Sequence, residues 1–150
     1  MKNGNCFYWA FDVIHNVHEM IPAYFEANGK ETSEINLDSD VFVVHGLVKM
    51  PAGHHGKHAW IEAGNYVIDY ANENEIFIEA PEYYRAFEVQ MGNKFLRNNI
   101  FALLLQDRSV AYRGDYTRAD LTRIYASNDV SSHDLHSRDF QKEYLDLKID

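Results

Sequence analysis

The sequence predicts a single α+β domain, in which an N-terminal helix precedes a small antiparallel sheet and further helices follow. With 150 residues, of which 46% are hydrophobic, the chain has the size and composition of one domain with its own core. Apolar residues recur at helical spacing near the N-terminus, and short β-branched runs separated by turns occupy residues 41–79. The pattern becomes helical again after Pro81. This order of elements is typical of an α+β fold.

The first amphipathic helix is predicted from Phe7, immediately after Cys6. Apolar residues follow helical spacing there: Phe7, Ala10, Phe11, Ile14, Val17 and Ile21. Asn3 and Asn5 are suitable N-caps, and Pro22 is expected to interrupt or end the first helical stretch. Cys6 would therefore lie at a helix start, where unpaired N–H groups and the positive end of the helix dipole favour a thiolate.

Strands are predicted in the middle of the chain. Residues 30–40 have the polar composition of an exposed loop, and residues 41–49, VFVVHGLVK, form a short β-branched run typical of a strand. Residues 50–56 contain a proline and two glycines and predict a loop. Residues 75–79, EIFIE, predict a further strand.

A hairpin is predicted on either side of Gly64-Asn65, a two-residue turn whose first glycine suits type II′. This turn pairs residue 63 with 66, 60 with 69 and 58 with 71. One face of the hairpin then carries His58, Trp60, Glu62, Val67, Asp69 and Ala71. The other face is apolar enough to be the core side, so the face with His58 and Asp69 is expected to be exposed. Asp69 would lie diagonally from His58, within reach of its side chain.

The second half of the chain is predicted to be mainly helical. Helical patterns cover residues 82–89, 116–126 and 137–148, and residues 95–105 are ambiguous. The adjacent pair Tyr83-Tyr84 is interpreted as packing. We treat residues 1–150 as one domain, with residues 85–150 as a helical extension, lid or specificity region.

Composition limits the classes of partner. The formal net charge is −9, and the chain has no basic stretch of the kind that binds nucleic acid or an anionic membrane. The longest apolar run, residues 100–105, is far shorter than the ~20 residues that a membrane helix needs. A single cysteine cannot form an internal disulfide, and we see no signal for secretion, so we expect a cytoplasmic protein.

Cys6, His58 and Asp69 together have the chemistry of a catalytic triad. A thiol at a helix start is a nucleophile, a histidine on one strand is a base, and an aspartate on the next strand orients the imidazole. Trp60, on the same face, is predicted to form a wall of the substrate site.

The segments that carry these residues resemble a known family. NCFYWA at 5–10, VVHGLV at 43–48 and HAWIEAGNYVIDY at 58–70 resemble the transglutaminase-like branch of the papain-like cysteine peptidase and acyltransferase superfamily. The resemblance implies a papain-like core, with Cys6 as nucleophile, His58 as general base and acid, and Asp69 as orienter.

The resemblance also implies an activity. A cysteine hydrolase (a thiol protease or amidase) or an acyltransferase would act on a peptide, protein or small amide substrate through an acyl-enzyme, without a cofactor. Asn3 or Asn5, together with the Cys6 backbone N–H, is predicted to hold the oxyanion.

Two alternatives follow from the same residues. The first is a metal-dependent hydrolase, with His54, His55 and His58 as ligands and Asp69 completing the shell. Its weakness is that glycines place these histidines in a loop, and that the glutamate of a helical metalloprotease motif is missing. The second is a non-catalytic binding module that keeps the fold.

Overall fold

The computed structural model describes residues 6–71, 74–90 and 92–106, and within these ranges it confirms the α+β class. The elements in chain order are α1 (Cys6–His15), α2 (Val17–Ala27), β1 (Val41–Lys49), β2 (His55–Ala63), β3 (Tyr66–Ala71), β4 (Asn74–Glu79), α3 (Ala80–Ala86), β5 (Gly92–Phe95) and α4 (Arg97–Gln106). No helix in these ranges is long and apolar enough to span a membrane. The helices predicted at 116–126 and 137–148 lie outside the described residues, so the role assigned to residues 85–150 stays a prediction.

The five strands form one antiparallel sheet in the order β4-β3-β2-β1-β5. The predicted strands at 41–49, 66–71 and 75–79 are confirmed within one residue, and β2 begins three residues earlier than predicted. The ambiguous stretch resolves into the end of β5, which pairs with β1, and then α4. The Asn99 side-chain oxygen accepts a hydrogen bond from the Leu96 N–H at 3.2 Å, which satisfies one of the free donors at the start of α4.

The turn at Gly64 sets the register of β2 against β3. Gly64 has φ of 59°. Asn65 does not have positive φ, because Glu88 is the one non-glycine residue in the described ranges that does. A turn with positive φ at its first central residue alone has the backbone signs of type II′. The pairs 63–66, 62–67 and 61–68 have the predicted register. In the described residues the ladder ends at the 61–68 pair, whereas β3 stays paired with β4 as far as residue 71. The predicted ladder pairs 60–69 and 58–71 are therefore not formed.

Both faces of the sheet are buried, which corrects the expectation that one was exposed. Helices α1 and α2 cover the face that includes Ala59, Ile61 and Ile68, as predicted for the core side. The opposite face packs beneath α3, through Tyr83 and Tyr84. The hairpin pattern could not reveal this cover, because α3 follows β4 and folds back over the sheet.

The N-terminal helix breaks at Asn16 and not at Pro22. The Asn16 side-chain amide donates to the Asp12 carbonyl oxygen at 3.0 Å, a local hydrogen bond that competes with continued helix. Pro22 lies inside α2, so the expected interruption there was wrong. A proline within a helix removes one backbone hydrogen bond, a cost that packing of Ile21 and Phe25 in the core can offset.

Candidate active site

Cys6 is the first described residue of α1, and its side chain is half-buried. The helix packs on the sheet through the buried residues Phe7, Ala10 and Ile14, and this packing sets the position of its N-terminal end. The Cys6 side chain is close enough to the His58 imidazole to raise the pKa of that ring. The two residues are far apart in sequence, so the contact depends on the docking of α1 against the sheet.

His58 and Asp69 form a buried ion pair. The His58 Nε2 atom lies 2.8 Å from Asp69 Oδ2 and 2.9 Å from Asp69 Oδ1. The two residues are 8% and 1% exposed, respectively. Because Nε2 is engaged by the carboxylate, Nδ1 is the ring nitrogen that remains for a second partner. Such an imidazole is held in one orientation and has one nitrogen for the carboxylate and one for the nucleophile.

The surroundings of His58 favour the charged imidazolium. Burial opposes a positive charge on the ring, but hydrogen bonds and negative charge from Asp69 and Cys6 outweigh it and raise the pKa of His58 to about 10. A protonated imidazole at neutral pH is the partner that stabilises a deprotonated thiol.

Tyr83 adds a fourth group that the sequence reasoning missed. Its hydroxyl donates to Asp69 Oδ2 at 2.6 Å, and the side chain is fully buried. Burial and the Asp69 charge raise the pKa of Tyr83 well above its ordinary value, so the hydroxyl keeps its proton. The sequence predicts a packing role for the adjacent tyrosines. That prediction is correct for both rings, but it leaves out the Tyr83 hydroxyl. A buried tyrosine normally has a hydrogen-bond partner. This rule was the signal in the sequence that could have indicated a polar contact for Tyr83.

Trp60 lies behind the imidazole. Its ring centroid is 5.9 Å from that of His58 and 5.3 Å from that of Tyr83. The Trp60 side chain is 0% exposed and its indole N–H donates to the Tyr84 hydroxyl at 3.3 Å. Trp60 therefore supports the histidine from the interior, and in this structure it presents no surface to a substrate as a site wall would.

The remaining predicted residues do not join this site. Asn3 and Asn5 lie outside the described residues. His54 is exposed, and the His55 Nε2 atom lies 3.0 Å from the Glu88 carbonyl oxygen. Within residues 6–71, 74–90 and 92–106, no group of three or more histidine, cysteine, aspartate or glutamate side chains is placed to hold a metal ion. The structure therefore does not assemble the metal site that a metal-dependent hydrolase would need.

Comparisons of the chain with protein-family models, curated proteins and solved structures found no match. The resemblance to the transglutaminase-like branch thus stays a prediction from the sequence. Function is inferred from the site, in which the His58 imidazole is paired with the Asp69 carboxylate and lies close to the Cys6 thiol.

Proposed function

We propose that this protein is a cysteine-dependent hydrolase or acyltransferase that acts on amide or peptide bonds. The observation that carries the proposal is that one imidazole is hydrogen-bonded to Asp69 and lies close enough to Cys6 for that residue to raise the pKa of the ring. A buried carboxylate that orients an imidazole beside a thiol at a helix start has the composition and order of a nucleophile, a general base and an orienting group.

In the proposed reaction, the Cys6 thiolate attacks the carbonyl carbon of the substrate and forms a tetrahedral intermediate. Backbone N–H groups in the first turn of α1 stabilise the oxyanion, with Asn3 or Asn5 as the proposed side-chain donor. The His58 imidazolium gives its proton to the leaving nitrogen as the C–N bond breaks, which leaves a thioester on Cys6. Neutral His58 then takes a proton from water or from an amine, which attacks the thioester and releases the thiolate. Asp69 stays ionised throughout and stabilises the imidazolium.

We also propose that the core is papain-like, of the transglutaminase-like branch. Three features support this proposal: the cysteine opens a helix, the following strand carries Gly46 directly opposite His58, and the aspartate lies on the strand after the histidine. The substrate would be a peptide, a protein or a small amide, and the cytoplasmic location remains a prediction.

The first test is the rate at which iodoacetamide alkylates Cys6, followed by intact mass from pH 5 to 9. Cys6 is the only cysteine in the sequence, so the added mass identifies the site. We expect modification that persists below pH 7 in the wild type and that slows by roughly tenfold or more at pH 6 in His58→Ala. His54→Ala is the matched control, because that histidine is exposed and lies outside the site; its rate should equal that of the wild type.

The second test is formation of an acyl-enzyme from an activated ester or thioester. Quenched samples should show one acyl group in the wild type and none in Cys6→Ala. If alkylation at pH 6 is slow and does not change in His58→Ala, the proposal is wrong. That result, together with the absence of an acyl-enzyme, would favour a binding module with this fold.

A further inference from the structure

We propose that Tyr83 is a positioning residue of the active site, which holds the Asp69 carboxylate in the orientation that it needs to direct His58. This inference rests on the proposed function and adds a residue to it. The Tyr83 hydroxyl donates to Oδ2, the same oxygen that accepts from His58 Nε2. Asp69 is therefore held from two directions, by the imidazole and by a phenol from a separate helix.

The carboxylate needs such a partner because it lies beyond the end of the β2–β3 ladder. The last pair of that ladder is Ile61–Ile68, so at Asp69 the two strands are no longer tied to each other by the sheet. Asp69 is 1% exposed, which leaves little room for water to solvate its oxygens. A donor on α3 supplies the hydrogen bond that water would otherwise make.

Tyr83 is itself held rigidly. Its ring packs against Trp60, against Phe87 at 4.6 Å between centroids, and edge-on against Tyr84. The start of α3 is anchored to the hairpin turn, since the Ala80 N–H donates to the Asn65 carbonyl oxygen at 2.7 Å. The hydroxyl therefore has a defined position relative to Asp69, as expected of a group that orients another.

Few ionisable groups act on this cluster. In the described residues, Asp69 from β3 and Cys6 from α1 are the groups whose charges act on both His58 and Tyr83. A change in the hydrogen bonding of Asp69 should therefore be felt directly at His58. Removal of the Tyr83 hydroxyl leaves the carboxylate charge less shared, so the hydrogen bond from His58 Nε2 should strengthen. Asp69 is then held from one direction instead of two.

The chain offers a matched control for this test. Tyr84 is the next residue of α3, is equally buried, and donates its hydroxyl to Glu62 instead of Asp69. Tyr83→Phe and Tyr84→Phe therefore remove the same atom from the same helix. Each leaves one buried carboxylate without one donor. Tyr84→Phe also removes the acceptor of the Trp60 indole N–H, so it should lose at least as much stability as Tyr83→Phe, but Tyr83→Phe alone should disturb the triad.

Two readouts separate positioning from packing. We expect Tyr83→Phe to lower the rate of acyl-enzyme formation at Cys6 by roughly tenfold, and Tyr84→Phe to leave it within about twofold of the wild type. In NMR spectra of histidine-labelled protein, the His58 Nε2 proton should move downfield in Tyr83→Phe and keep its position in Tyr84→Phe. The inference is overturned if the two variants agree in both readouts.

A further measurement needs no variant, in case Tyr83→Phe does not fold. In the wild type, the Tyr83 hydroxyl proton should give a slowly exchanging resonance with a nuclear Overhauser contact to the His58 Nε2 proton, and absence of this contact also overturns the inference. Failure of the proposed function would look different. The wild type itself would form no acyl-enzyme, and alkylation of Cys6 would not depend on His58. The positioning role of Tyr83 would then be rejected together with the proposed function.

Discussion

Lys94 Nζ lies 2.6 Å from Glu62 Oε2 inside the face of the sheet that α3 covers. The two side chains are 5% and 7% exposed, so this is a buried ion pair. The Tyr84 hydroxyl donates to the other oxygen of Glu62, and the ammonium also lies 5.5 Å from the centre of the Phe42 ring. Both charges therefore have partners, which is the condition under which a protein interior tolerates them.

Breaking this pair from one side should strongly destabilise the fold. Lys94→Met leaves the Glu62 carboxylate buried without its cation, and we expect a loss of about 3–5 kcal/mol in the free energy of unfolding, measured by urea denaturation. Lys49→Met is the control, because Lys49 pairs with Glu88 on the surface and should change stability very little. Equal losses in the two variants would show that the Lys94–Glu62 pair does not have the buried character described above.

Stability should fall on the alkaline side because of His58. Its pKa is about 10 in the folded protein and 6.5 in the unfolded chain, so the folded state binds the proton more tightly. The stabilisation is complete below pH 6.5 and is lost as the pH rises towards 10, with a total on the order of 5 kcal/mol. Urea denaturation at pH 6.5 and 9.5 should show this loss in the wild type and a much smaller one in His58→Gln. Parallel pH profiles for the two proteins would contradict the prediction.

Stability should also fall on the acid side, because the pKa of His45 is shifted in the direction opposite to that of His58. It is buried between the rings of Phe7 and Phe95, and burial lowers its pKa to about 3. Since the unfolded chain binds the proton more tightly, His45 contributes fully above pH 6.5 and its contribution is lost as the pH falls from 6.5 towards 3. The free energy of unfolding of His45→Leu, measured by urea denaturation, should change less between pH 6.5 and pH 4 than that of the wild type. His54→Ala, at an exposed site, should keep the wild-type sensitivity; the prediction fails if His45→Leu keeps it too.

A side chain at Gly64 in the hairpin turn should destabilise the fold. Its φ is 59°, and a Cβ there would lie 3.1 Å from the Ile35 Cδ1 atom, so Gly64→Ala adds both backbone strain and a close contact. Gly29→Ala is the control, because Gly29 has φ of 70° with no atom within 4 Å of the added Cβ. We expect Gly64→Ala to cost about 1 kcal/mol more than Gly29→Ala in thermal or urea unfolding. Equal losses of stability in Gly64→Ala and Gly29→Ala would show that the close contact with Ile35 contributes nothing.

Local patterns in the sequence were sufficient for the four strands β1 to β4, although β2 begins three residues earlier than predicted, and for placing His58 and Asp69 on one face of the hairpin. A β-branched run gave β1, and the two-residue turn at Gly64-Asn65 gave the register that places both side chains on one face. These features are short-range, because strand alternation and turn geometry depend on neighbouring residues alone. The position of Cys6 at a helix start was predictable for the same reason.

Tertiary packing decided the remaining features. The burial of the hairpin face, the hydrogen bond from Tyr83 to Asp69 and the pairing of Lys94 with Glu62 all require α3 or β5 to come back to the sheet. The contact of Cys6 with His58 likewise requires α1 to dock against the strands. The sequence by itself thus determined the strands β1 to β4 and the register of the hairpin next to its turn. Only the tertiary structure determined which side chains meet across elements, because no local pattern reports where a distant segment packs.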